Sequence, residues 1–553
     1  MPEVAARARV LQLHPDDNVL VALGNLQAGE QVEFAGTIYE LVTRVAAKHK
    51  FARRDLAAGD AVVMYGVIVG KAMEPIRRGE AITTRNLQHA AADFREQEQE
   101  YKWRAPDVSR WANRTFLGYR RADGQVGTRN YWLVVPLVFC ENRNVGVLKS
   151  AFEDALGYSA PHLYTDEVAE LARLYKEGKL DEIGTSRARR GIAQAARPRV
   201  FDNLDGVKFL LHEGGCGGTH EDSRNLCGLI AGYIHHPNVA GATVLSLGCQ
   251  HAQMEILREE LRRRDPNFNK PLIMLEQQRS GTETALMSQA IQETFLGLVE
   301  ANKCRREPAP LSRLCIGLKC GGSDGFSGIS ANPSIGHTSD LLAALGGRSI
   351  LSEFPELCGV EQDLINRSVS REVGGRFMQL MRDYAARARA VRAGFDMNPS
   401  PGNIRDGLIT DAMKSAGAEK KGGTSPVTAA LDYPEYSSAA GLNLLCTPGN
   451  DVECVTAQVG AGASVVLFTT GLGTPTGNPV APVVKISTNS ELAARMRDII
   501  DLDTGGVITG QKTIQQMGEE ILELVVAVAS GQKVKAETLA QDDFIPWKRG
   551  VSL

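Results

Sequence analysis

At the start of the chain, apolar residues come in short runs. Residues 11–13, 19–22, 31–34 and 61–69 read as strands, each bounded by turn-forming Gly, Asp or Asn. Two phrases here look alike, Asp55-Leu56-Ala57-Ala58-Gly59-Asp60 and Glu74-Pro75-Ile76-Arg77-Arg78-Gly79-Glu80, each pairing an apolar anchor with a glycine turn and an acidic residue. Residues 9–90 are therefore read as one small β-rich domain. The pattern then stops. Residues 91–110 hold few apolar side chains and include Glu96-Gln97-Glu98-Gln99-Glu100, so 91–115 is expected to be a linker, helical in part.

Beyond the linker, apolar runs at 131–139, 207–211, 243–247 and 272–275 suit buried strands, while 255–264 and 283–298 repeat apolar residues at helical spacing. The same style returns at 349–352, 464–469 and 483–486, and 514–530 reads as an amphipathic helix. Strand, turn and helix in alternation predict largely parallel sheets covered by helices. A chain of 553 residues exceeds one core, which gives two α/β domains, 116–305 and 306–553, after the small β-rich one. Residues 156–197 are basic and helical in pattern and read as a surface insertion.

Composition narrows the function classes. Hydrophobic residues make up 43% and charged residues 23%, the balance of a soluble globular protein. A net charge of -3 with no long basic block argues against a nucleic-acid or membrane partner. No stretch approaches the roughly 20 apolar residues of a membrane span. The first residues lack the apolar core of a secretory signal, and the ten cysteines show no CxxC pair, so reduced thiols and a cytoplasmic location are expected.

Three glycine-rich loops are the strongest local signals: 212–220, 317–328 and 471–477. One such loop alone is as often a bare turn, but three with embedded polar and thiol groups suggest one shared pocket at strand ends. None fits a nucleotide-binding pattern. Cys140, Cys216, Cys249 and Cys320 each follow an apolar run. Singly each reads as a small core residue; as a set they are soft ligands for iron or an iron–sulfur cluster. The other six cysteines read as structural. His14, before Asp16-Asp17-Asn18, and His49, beside Lys50, are candidate iron ligands or proton carriers. His235-His236-Pro237-Asn238 reads as a polar turn rather than a metal site, and His89 and His162 carry no signal.

Several phrases together resemble one known family, the altronate and galactarate dehydratases, over nearly the whole chain. They are Leu13-His14-Pro15-Asp16-Asp17-Asn18-Val19 with His49-Lys50-Phe51-Ala52, Gly118-Tyr119-Arg120-Arg121-Ala122-Asp123-Gly124, Cys320-Gly321-Gly322-Ser323-Asp324-Gly325-Phe326, Asn398-Pro399-Ser400-Pro401-Gly402-Asn403 and Thr470-Gly471-Leu472-Gly473-Thr474-Pro475. Glu276-Gln277-Gln278, Glu353-Phe354-Pro355-Glu356 and Pro448-Gly449-Asn450-Asp451 are nearer the altronate branch. Lys48 departs from the family, where a glycine usually precedes the His-Lys pair.

The resemblance implies an N-terminal β-clip (SAF) domain and dehydration of a sugar acid to a 2-keto-3-deoxy acid. It also implies Fe(II), or Mn(II), as cofactor, and the expected assembly is a homo-oligomer, with a dimer as first choice. His14 and His49 would stand near the metal, with His49 or Lys50 moving protons. Ser323, Asp324, Asn403 and Thr474 would bind substrate hydroxyls, and Arg129 its carboxylate. A competing arrangement places an iron–sulfur cluster on three of the cysteines 140, 216, 249 and 320, its open iron binding substrate. Other readings are a galactarate-type substrate, a carbon–sulfur lyase of the sulfolactate type and a sugar-acid binding protein without turnover.

Overall fold

The computed structural model describes residues 9–97, 100–159, 163–184 and 198–552. The N-terminal strands pair as antiparallel hairpins. Val10–Leu11, Val19–Ala22 and Lys50–Ala52 form one sheet, Gln31–Phe34 and Thr37–Glu40 a second, and Ala61–Met64, Val67–Ala72 and Leu87–Gln88 a third. The run 61–69, expected as one strand, is broken by a turn at Tyr65 (φ 58°) and Gly66 (φ 77°), the left-handed pair a tight hairpin requires. A tyrosine in the first of those positions carries no turn signal.

This module has two cores. One is its own, around Leu20, Val32 and Phe51. In the other, Val19, Val62, Val69 and Ile82 pack together with Phe326, Ile329, Ile409 and Met413 from the C-terminal third. The module is therefore docked by shared apolar burial, not merely tethered.

The expected linker is a strap. No helix or strand occurs among the described residues from 91 to 108. Gln97 donates to the carbonyls of Asn366 and Ser368 at 3.1 and 3.0 Å, Tyr101 to that of Thr424 at 2.7 Å, and Trp103 to the Thr424 hydroxyl at 3.2 Å. Its polar side chains find partners on the C-terminal domain, and so the segment needs few apolar ones. Of the 156–197 segment, Leu163–Lys176 and Leu180–Ile183 are helices, while 160–162, with His162, and 185–197 lie outside the described residues, as do Glu98 and Gln99.

Two parallel sheets follow. The first has four strands in the spatial order Gly206–Phe209, Tyr131–Pro136, Val239–Ser246, Leu272–Glu276. The second has seven: Val427–Leu431, Gly441–Leu445, Arg348–Leu351, Cys315–Cys320, Val465–Thr470, Val483–Ser487, Leu502–Asp503. An antiparallel ribbon of Val126–Gly127, Thr115–Arg120 and Arg306–Pro310 stands where the chain enters and leaves the first. One apolar core runs through both domains, joining Leu133, Val244 and Tyr233 to Ile316, Leu467 and Val484. In the larger sheet the first strand in sequence, Cys315–Cys320, lies in the middle. The chain builds to one side of it and then crosses to the other, which leaves a crevice outside its carboxyl end.

One expectation changes at the amino ends of the strands. The turn after His235 is buried, not polar surface: His236 is fully enclosed, with Nε2 3.0 Å from the Ala463 carbonyl oxygen. Burial pushes the pKa of His236 down to about 3, so it serves as a neutral packing group.

Candidate active site

The central strand opens at its carboxyl end into the glycine-rich loop that carries Asp324, and the β-rich module presses the turn Lys48-His49-Lys50 against that loop. The approach is backbone on backbone. A Cβ at Gly325 or at Gly407 would lie 2.5 Å from the Lys48 carbonyl oxygen, so both positions need glycine.

Asp324 is the focus of the contact, with no exposed surface. Its Oδ1 accepts from the Phe326 amide at 3.2 Å and the Ser327 hydroxyl at 3.1 Å. Its Oδ2 accepts from the Thr488 hydroxyl at 3.1 Å and lies 2.9 Å from Lys48 Nζ, which is also 3.1 Å from Asp406 Oδ1. Burial works to lower the Lys48 pKa, but the two carboxylates outweigh it and hold Lys48 above the ordinary lysine value.

Lys50 is sealed behind this pair. Its Nζ donates to the Gly407 carbonyl at 2.7 Å, and burial, only partly opposed by Asp324, pushes its pKa down to about 7. His49 stands at the mouth with Nε2 2.9 Å from the Arg405 carbonyl oxygen. A carbonyl can only accept, so Nε2 carries the proton and Nδ1 is the basic nitrogen. Desolvation keeps His49 below the ordinary histidine value, so the imidazole is neutral at neutral pH.

Of the residues expected from sequence, His49, Lys50, Ser323, Asp324, Asn403 and Thr474 meet around this loop. Asn403 is already spent: its Nδ2 donates to the Ser323 carbonyl at 2.8 Å and its Oδ1 caps Ser400 N at 3.0 Å, so it shapes the loop. Thr474 arrives on the loop after Val465–Thr470; a Cβ at Gly322 would lie 2.8 Å from its Oγ1. Two of the three glycine-rich loops thus meet. The third, 212–220, lines a separate cavity of about 650 Å³ whose wall includes Glu453.

His14 lies on a neighbouring turn, against Gly66, and its Nδ1 accepts from the Asp16 amide at 3.3 Å. Arg129 is elsewhere. It is 2% exposed and pairs with Glu537 through Nε and Nη2 at 2.7 and 2.8 Å. It also donates to the carbonyls of Thr128, Val528 and Gln532 at 2.8, 2.8 and 2.9 Å. With its guanidinium so engaged it locks the first sheet to the C-terminal helices and has no donor left for a substrate carboxylate.

The expected single-ion set does not come together. Among the described residues, neither His14 nor His49 belongs to a group of three ligand atoms within 4.8 Å of one another, although Asp16 Oδ2 lies 3.6 Å from His14 Nδ1. Cys140, Cys216 and Cys249 lie at the carboxyl edge of the other sheet. Cys320 is buried, its thiol against the Ser323 hydroxyl and 3.9 Å from Asn332 Nδ2. Among the described residues only Asp123, His235 and Asp265 bring three such ligand atoms within 4.8 Å of one another. That group stands at the amino end of the four-stranded sheet, with half-buried Lys270 nearby.

Sequence reasoning missed a seam of buried charge along the same carboxyl edge. Lys319 pairs with Glu353 and lies 2.9 Å from Asp451 Oδ1. Lys421 Nζ is 2.8 Å from Glu353 Oε2, and Lys414 Nζ is 2.8 Å from Glu356 Oε1 and 2.7 Å from Asn398 Oδ1. Burial works to raise the Glu356 pKa, but Lys414, Lys421 and Lys319 together hold it below the ordinary carboxylate value. Beside the seam opens a cavity of about 500 Å³, lined by Pro355, Asn398, Gly449 and Asn450. The usable signal was the two-turn spacing of Lys414 and Lys421; Lys414 sits on the helix Asp411–Glu419 and Lys421 on the 3-10 turn Lys420–Gly422 that follows it, both toward the Glu353-Phe354-Pro355-Glu356 phrase.

Comparison with known proteins agrees with this layout. Residues 8–90 match the altronate/galactarate dehydratase SAF domain. Residues 118–302 match the D-galactarate dehydratase/altronate hydrolase second domain, and 311–552 the D-galactarate/altronate dehydratase C-terminal domain. The chain is 34% identical to the altronate dehydratase of Bacillus subtilis over 98% of its own length and 99% of that protein. It is 34% identical to the altronate dehydratase of Escherichia coli, again over 98% and 99%. With the galactarate dehydratase (L-threo-forming) of Escherichia coli it shares 30% over 95% and 93%. No helix among the described residues is long and apolar enough to cross a membrane.

Proposed function

The chain belongs to the D-galactarate/altronate dehydratase family, and on that premise we propose that it is a hydro-lyase removing water from a sugar acid, with D-altronate as the first candidate substrate. Its identity to the two altronate enzymes exceeds that to the galactarate enzyme, which sets this order. The product is a 2-keto-3-deoxy acid.

The proton on C2 of an aldonate is weakly acidic, and its removal adds a second negative charge beside the carboxylate. The reaction therefore needs a base and a fixed positive charge close together. The observation that carries the reading is the neutral imidazole of His49 next in sequence to the ammonium of Lys48, both at the mouth of the Asp324 loop. His49 Nδ1 takes the C2 proton. Lys48, held by Asp324 and Asp406, stabilises the enediolate and donates to the departing C3 hydroxyl. Ser323 and Thr474 hold substrate hydroxyls. Lys50, sealed behind them, fixes the turn through Gly407 and keeps water from the back of the site. The enol then tautomerises. Fe(II) is the cofactor that the family resemblance implies; the residues around His49 do not form a set for it, and no step at this loop runs through a metal.

The test is an anaerobic screen of aldonates and aldarates with a keto-acid readout, together with His49→Ala. The variant is expected to lower kcat/KM by about 10²–10⁴-fold, the contribution of a general base, with an unchanged thermal midpoint. Formation of keto acid from none of the acids overturns the reading. Release of sulfite from a sulfonated hydroxy acid, in place of a keto acid from a sugar acid, overturns it in favour of a carbon–sulfur lyase.

A further inference from the structure

Of the ten cysteines, only Cys140, Cys216 and Cys249 are exposed; Cys304 and Cys358 are half-buried and the other five buried. Free cysteine is among the residues most often buried, so three exposed thiols call for an explanation. All three stand at the carboxyl edge of the four-stranded sheet, on loops that follow three adjacent strands: Gly206–Phe209 leads to Cys216, Tyr131–Pro136 to Cys140 and Val239–Ser246 to Cys249.

The loops are laced together. The Phe139 amide donates to the Gly214 carbonyl at 3.1 Å, the Ala252 amide to the Gly215 carbonyl at 3.0 Å, and Asn142 Nδ2 to the His212 carbonyl at 2.9 Å. A Cβ at Gly215 would overlap the Leu137 carbonyl, so this packing depends on glycine there. Buried His212 holds the entry to the loop, with Nε2 2.8 Å from the Pro136 carbonyl oxygen and Nδ1 accepting from the Gly214 amide at 3.1 Å. The three thiols are thus fixed relative to one another by backbone bonds.

The surroundings favour negative charge. Each loop runs into a helix, Asn142–Leu156, His220–His235 and Met254–Arg264, so three helix N-termini face the rim. Gly215 (φ 100°) and Gly217 (φ 66°) flank Cys216 in left-handed conformations, the backbone form that turns successive N–H groups inward in anion and iron–sulfur cradles. The thiols are not a site for one ion. Bonds of about 2.3 Å to a single metal bring sulfur ligands within about 4 Å of one another. These three sulfurs are not grouped even within 4.8 Å. A cluster whose irons each take one thiolate spans more. Beside the rim lies the cavity of about 650 Å³ that Cys216 helps to line, with Glu453, Trp547 and Lys548 on its other walls.

We propose that Cys140, Cys216 and Cys249 bind an iron–sulfur cluster, each thiolate on a different iron, with one iron left without a protein thiolate and turned toward this cavity. Cys320, buried in the other sheet, is not a ligand. The site stands independently of the dehydratase reading.

The experiment uses the full chain, treated anaerobically with iron, sulfide and a thiol reductant and then desalted. Equal amounts of iron and acid-labile sulfide are expected, more than one of each per chain, with a brown absorbance near about 400 nm. Cys140→Ser, Cys216→Ser and Cys249→Ser should each lose most of that absorbance and sulfide, while keeping the circular dichroism and thermal midpoint of the wild type. Cys320→Ser should keep the cluster. A colourless chain, iron bound without sulfide, or rim variants that keep the cluster content of the wild type overturn the proposal. A cluster in a chain that turns over no sugar acid would sink the dehydratase reading and leave this one; a colourless chain active with Fe(II) would do the reverse.

Discussion

The two parallel sheets end in opposite kinds of chemistry. At the carboxyl edge of the seven-stranded sheet, Lys319, Glu353, Lys421, Glu356 and Lys414 are buried and each is paired. At the carboxyl edge of the four-stranded sheet, three thiols lie open. Topology is shared: in both, loops at the ends of adjacent parallel strands converge. What differs is the penalty for leaving a group without a partner. A buried charge requires its counter-ion, so the first edge is locked by its own pairs. An exposed thiol requires nothing, so the second edge keeps its groups free for a ligand. Stability should therefore be sensitive to substitution at one edge and nearly indifferent at the other.

The sharpest break of that comparison is Glu353→Gln. It leaves Lys319 and Lys421 facing a neutral amide in a fully buried setting, and removing one member of such a set costs about 3–5 kcal/mol. Urea unfolding should show that loss, against less than about 0.5 kcal/mol for Cys140→Ser at the other rim. A Glu353→Gln protein within about 1 kcal/mol of wild type would mean that the seam is not what holds this edge.

An effect of similar size, but dependent on pH, comes from Lys50. Its folded pKa is depressed to about 7 by burial, from an ordinary value of 10.5. Between those values the unfolded chain binds more protons than the folded one, so this lysine makes stability rise with pH across the window, by up to about 1.4 kcal/mol per pH unit. Below pH 7 the penalty of charging the buried amine is complete. Lys50→Met removes both, so the variant should be the more stable at pH 7, with the gap closing by pH 10. Lys270 and Lys485, also lowered to about 7, remain in both proteins and cancel. A gap independent of pH would show that Lys50 is not buried as an amine.

How much of this was legible in the sequence differs between the two edges for a physical reason. Periodicity carried the strands and helices, because burial on a sheet face or helix stripe writes itself into neighbouring positions. The glycine-rich loop with Asp324 and the His49-Lys50 turn were visible as local phrases, and so was each cysteine at a strand end. The pairing of Lys319 with Glu353 and Lys421 was not. It joins residues brought together only by crossing connections of a parallel sheet, and isolated Lys or Glu at strand ends looks like solvated surface. Arg129 misled for the complementary reason: an arginine in a strong motif suggests an anion, and its partner Glu537 lies 408 residues away. The strap at 91–108 looked like a free linker because its polar side chains bond to carbonyls, which no pattern of side chains announces.

The smallest expected effect bears on the residue that joins the β-rich module to the charged edge. Lys48 is held at φ 73°, a left-handed conformation that costs a residue with a Cβ about 1 kcal/mol relative to glycine. It is retained there with its ammonium 2.9 Å from Asp324 and 3.1 Å from Asp406. Lys48→Gly removes the ion pairs and the strain together, whereas Lys48→Ala removes the ion pairs and keeps the strain. The glycine variant should therefore be the more stable of the two by about 1 kcal/mol, a difference in which the lost pairs cancel. Turnover should fall in both to the same degree and only in part, since both lose the ammonium that this chain places where the family usually has glycine. Equal stability of the two variants would show that the turn relaxes when the side chain is gone. In that case the ion pairs to Asp324 and Asp406, and not the docked backbone at Gly325 and Gly407, hold the Lys48-His49-Lys50 turn in place.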